Sequence, residues 1–102
     1  MKQVHLVALV GIDYYEVMYI CLSEKTAIEK FTDLKLDLIK KTQEDIERIN
    51  GMTDRDVGYR QRRLEGKKEY IQELRDLEFP GDNGAVSSLY ESPIVQVREL
   101  LE

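Results

Sequence analysis

The run from Val4 to Leu22, "VHLVALVGIDYYEVMYICL", restricts the fold more than any other segment. Tyrosine and cysteine aside, only His5, Asp13 and Glu16 in it carry an ionisable group. Its length approaches the ~20 apolar residues of a membrane helix. Asp13 and Glu16 argue against that use, since a carboxylate at mid-bilayer costs several kcal/mol. In an extended chain Val4, Leu6, Ala8 and Val10 share one face, and Val17, Tyr19 and Cys21 alternate likewise after the break at Gly11-Ile12-Asp13. β-Branched and aromatic side chains suit a pleated surface, and Gly suits a tight turn. The segment is therefore expected to be a β-hairpin, with strands at 3–10 and 15–22. A regular ladder places Val4, Leu6, Ala8, Val10, Val17, Tyr19 and Cys21 on one face. The other face then holds His5, Val7, Leu9, Glu16, Met18, Ile20 and Leu22. Both faces are largely apolar, so helices should cover one, and a second cover or another molecule the other.

Ser23 can cap a helix by accepting a first-turn N–H, and Glu24 complements the positive end of the helix dipole. Ile28, Phe31, Leu34, Leu38, Ile39, Ile46 and Ile49 follow with helical spacing, and Gly51 is placed to end the helix. Met52–Gly58 reads as a loop. A second helix is expected over 59–77, with Leu64, Ile71, Leu74 and Leu77 on one stripe and Gly66 as a weak point. Two helices joined by a short loop pack antiparallel. "FPGDNGAVSS" at 79–88 is turn chemistry. "IVQVREL" after Pro93 reads as a third strand, 94–100; a terminal helix is the alternative, because Arg98–Glu102 are good helix formers. The expected fold is one α+β domain over 1–102: a small antiparallel sheet, made of the hairpin and the C-terminal strand, packed against an antiparallel helix pair in the order ββααβ.

The chain has 102 residues and a net charge of −5, unevenly spread. Residues 1–58 hold 8 basic and 11 acidic groups, 59–77 hold 6 and 4, and 78–102 hold 1 and 5. The single cysteine, Cys21, cannot form an internal disulfide, so nothing asks for an oxidising compartment. Lys2 is a lone charge rather than the basic start of a signal peptide. A cytoplasmic location and no membrane partner are expected.

Catalytic chemistry finds little support. His5 is the only histidine and reads as a strand residue with an edge hydrogen bond. The regular ladder sets His5 and Cys21 on opposite faces, which disfavours a nucleophile–base pair. No His, Cys or carboxylate cluster has metal-ligand spacing, and "FPGDNGA" lacks the Lys-Ser/Thr of a phosphate loop. No catalytic residue, metal ligand or cofactor is assigned, and the chain is expected not to be an enzyme. "YRQRRLEGKKEY" is more suggestive. Arg60, Arg62, Arg63, Lys67 and Lys68 cluster there as phosphate contacts do, but interleaved Glu65, Glu69 and Glu73 fit salt bridging equally well.

Strand Val4–Val10, Gly11, Asp13-Tyr14, strand Val17–Leu22, then Ser23-Glu24-Lys25, Ala27 and Phe31 form a recognisable order. It resembles small uncharacterised bacteriophage and prophage proteins in which a β-hairpin leads into a Ser/Thr-capped helix. "SPIVQVRELLE" resembles their acidic closing strand. The resemblance covers about 4–31 and 93–102; where those proteins have Tyr-Ser-Asp-Tyr, this chain has Ile12-Asp13-Tyr14-Tyr15. It implies an α+β fold and a phage-type origin, and carries no catalytic residue across.

The leading expectation is a non-enzymatic interaction protein. The resemblance implies that it binds and blocks a bacterial host protein, such as a CRISPR-type defence component. Glu44, Asp45, Glu47, Glu91, Glu99 and Glu102 are the candidate acidic contacts, able to compete with nucleic acid for a basic groove. The alternative is a small nucleic-acid-binding regulator using Arg60, Arg62, Arg63, Lys67 and Lys68. A homodimer is also expected, with Val7, Leu9, Met18 and Ile20 as its candidate face, or the long first helix if that face is covered internally.

Overall fold

A computed structural model describes residues 2–51, 57–81 and 90–100. It holds strands β1 (Lys2–Val10), β2 (Tyr15–Cys21) and β3 (Ser92–Leu100) and helices α1 (Glu24–Asn50) and α2 (Val57–Asp76). The fold is α+β in the order ββααβ, and the sheet is antiparallel with strand order β2-β1-β3. The third strand is confirmed and begins two residues earlier than expected. Val57 and Gly58, expected in a loop, open α2, and residues 52–56 and 82–89 lie outside the described residues.

The hairpin turn is closed by the Gly11 N–H donating to the Tyr14 carbonyl at 3.0 Å, with Val10 opposite Tyr15 as the last pair. The chain then leaves β2 straight into α1. Ser23 is the N-cap: its hydroxyl accepts from the Thr26 N–H at 3.2 Å. At the other end the Gly51 N–H donates to the Glu47 and Arg48 carbonyls in an ordinary right-handed conformation. Gly51 therefore closes the helix without using glycine's left-handed freedom.

Two apolar layers follow from the spacing of α1. Ala27, Phe31 and Leu34 meet Val7, Cys21, Val95 and Leu77 between helix and sheet, with Phe79 edge-on to Phe31 at 5.7 Å. One turn further, Leu38 and Ile39 meet Tyr70, Ile71 and Leu74 between the helices. α1 touches all three strands, whereas α2 packs mainly on α1. Ile28 lies off this stripe and is exposed.

Beyond these layers the helices have little to bury. In α1 after Thr42 only Ile49 is buried, and in α2 no residue before Tyr70 is. The distal halves, 43–50 and 57–69, thus project as an arm, and the molecule measures 59 × 22 × 19 Å.

The register corrects the expected sheet faces. Val7 pairs with Tyr19 and Ala8 with Val17, so Met18 is an extra residue in β2. This bulge shifts side-chain parity between the two ends of the strand. Tyr19 and Cys21 lie on the helix side with His5, Val7 and Leu9, not with Val4, Leu6, Ala8 and Val10. The opposite side carries Val4, Leu6, Ala8 and Val10, flanked by Ile20 and Val17 from β2 and by Ile94 and Gln96 from β3.

Candidate interaction surface

The two edges of the sheet differ. β3 starts with Ser92-Pro93 and ends with Arg98 and Glu99, and the turn at Phe79–Gly81 lies along it. The Val95 N–H donates to the Pro80 carbonyl at 2.9 Å, and Gly81, at φ +96°, lies so close that a Cβ would stand 2.4 Å from the Pro93 carbonyl oxygen. Proline, charge and an overlying turn are all devices that blunt an edge. β2 has only Glu16 and the bulge at Met18, and among the described residues no turn or loop backbone group bonds to its outer side. From Tyr15 to Ile20 every residue is exposed, and Glu16 is the only formal charge. Ile20 is 68% and Leu22 77% exposed.

On the side of the sheet away from the helices Val4 and Ala8 are buried, and Val17 and Ile20 are exposed. Leu6, Val10 and Ile94 are half-buried there. A small polar patch crosses it, where the Tyr15 hydroxyl and the Arg98 guanidinium both donate to the Gln96 side-chain oxygen at 2.9 Å. The open surface is therefore apolar, with one hydrogen-bonded strip.

The expected dimer face is split by this geometry. Val7 is fully buried under the helices, and Leu9 packs against both core clusters. Neither can line an interface, whereas Met18 and Ile20 are exposed. Both parities of β1 are apolar, so alternation could not choose the buried side.

The basic cluster sits on the projecting arm but does not form one free patch. Lys67 reaches Asp45 of α1 at 3.4 Å, and Arg63 stands over the Tyr59 ring at 5.8 Å. Arg60 is half-buried, whereas Arg62 and Lys68 are exposed. One member of the cluster, Lys67, joins the two helices through its ion pair with Asp45.

The acidic candidates are dispersed. Asp45 is engaged by both Arg48 and Lys67, while Glu44 and Glu47 are exposed beside them. Glu91 precedes β3 and Glu99 nearly ends it, which separates them by about 25 Å of extended chain. Glu102 lies outside the described residues.

A cluster that sequence reasoning missed joins α2 to the start of β3. The Tyr70 hydroxyl donates to the Glu91 carbonyl at 2.5 Å, and the Tyr70 and Tyr90 rings stack at 4.4 Å. Burial, reinforced by the Glu91 charge, pushes the Tyr70 hydroxyl well above its ordinary pKa. Two tyrosines and a glutamate spread over positions 70–91 leave no local signal for this arrangement.

His5 and Cys21 face each other directly in the β1–β2 ladder, so the expectation of opposite faces is overturned by the bulge at Met18. Such pairs have Cβ atoms roughly 5 Å apart. β1 is the central strand, so His5 has no edge bond; its buried Nδ1 accepts and donates nothing among the described residues. Cys21 is buried, which closes the thiol to a substrate.

A groove of about 500 Å³ lies between α1 and the end of α2, lined by Phe31, Lys35, Arg75 and Phe79 among others. Its ammonium group is committed to the backbone: Lys35 Nζ donates to the Leu77 carbonyl at 2.6 Å and the Arg75 carbonyl at 3.2 Å. Lys35 thus caps α2. Among the described residues no group of three or more His, Cys, Asp or Glu is placed to hold a metal, and no helix is long and apolar enough to cross a membrane.

The chain is an α+β protein whose edge strand β2 carries exposed apolar residues. Comparison with protein-family models, curated proteins and solved structures finds no match.

Proposed function

We propose that this protein is a non-enzymatic binding module that docks on and blocks another protein, using its edge strand β2. The observation that carries the reading is the exposed apolar stretch of β2, with Val17, Met18 and Ile20, beside half-buried Leu6 and Val10 of β1. Exposed apolar surface of this kind marks interaction sites. The phage-type resemblance of the hairpin and capped helix supports a bacterial host protein as the target, with defence proteins a natural class. The Gln96 strip would supply register through its hydrogen bonds, and the scattered acids would steer encounter rather than form the contact.

The test is photo-crosslinking in bacterial lysate from a probe at Val17, with a matched probe at exposed Leu36 on α1. The reading expects one discrete host adduct from Val17 and none from Leu36. Equal labelling from both positions contradicts it. The nucleic-acid alternative has a separate test. Salt-sensitive DNA binding lost in Arg62→Glu/Arg63→Glu would favour it, and absence of binding at low salt would eliminate it.

A further inference from the structure

We draw no further inference here: the strongest candidate, the exposed apolar stretch of the edge strand β2 from Val17 to Ile20, belongs to the surface already described, and nothing in the structure shows what covers it.

Discussion

Phe31 is the side chain on which the sheet–helix layer turns. It is 3% exposed and touches Phe79 edge-on, and Gly81 stands beside its ring. Phe31→Ala should lower the unfolding free energy by about 3–5 kcal/mol, from lost transfer energy and the cavity left behind. A urea titration reads this, and an unchanged midpoint would place Phe31 outside the core. Tyr70 offers a second test with a pH signature. Removing its hydroxyl leaves the Glu91 carbonyl without that donor, so Tyr70→Phe should cost about 1 kcal/mol at neutral pH. In the unfolded chain the hydroxyl ionises near pH 10, while burial holds the proton in the fold. The folded state then binds more protons, so this contribution is intact below about pH 10 and is lost as pH rises toward the higher folded value. Between about pH 10 and 11 wild-type stability should fall more steeply than that of Tyr70→Phe. Parallel slopes would show that Tyr70 is not shielded.

At the scale of elements, much was legible. The Ser23 cap, the helical spacing from Phe31 to Ile49 and the period-two pattern of the hairpin each express a local rule, and each element stands within two residues of expectation. The sheet faces were not legible. Alternation specifies a face only where one parity is polar, and β1 is apolar at both. A bulge adds one residue with no sequence signature, and at Met18 it moved Tyr19 and Cys21 to the helix side. That single residue accounts for the His5–Cys21 pair and for Ile20 lying away from Val7 and Leu9, whose burial follows from β1 being apolar at both parities. The basic cluster was legible as a cluster but not as a surface, because Lys67 pairs with Asp45 twenty-two positions away. Gly66 gives α2 a testable weakness. A Cβ there would meet only the Tyr90 hydroxyl, at 3.4 Å. Gly66→Ala should therefore stabilise the protein by about 0.5–1 kcal/mol, through helix propensity alone. A loss of stability on thermal denaturation would mean that the Tyr90 contact is tighter than ordinary packing.

Taken whole, the molecule divides its labour along its 59 Å length. The sheet end holds the mixed core and the open apolar strand, and the arm carries the paired charges of the two helices. The account stands or falls on the exposed apolar residues of β2 being a contact for another protein. Photo-crosslinking in bacterial lysate from a probe at Ile20, which is 68% exposed, measures this most directly. The account predicts one discrete adduct that a matched probe at exposed Leu36 on α1 does not give. Equal labelling from both positions, or no adduct from Ile20, would contradict it.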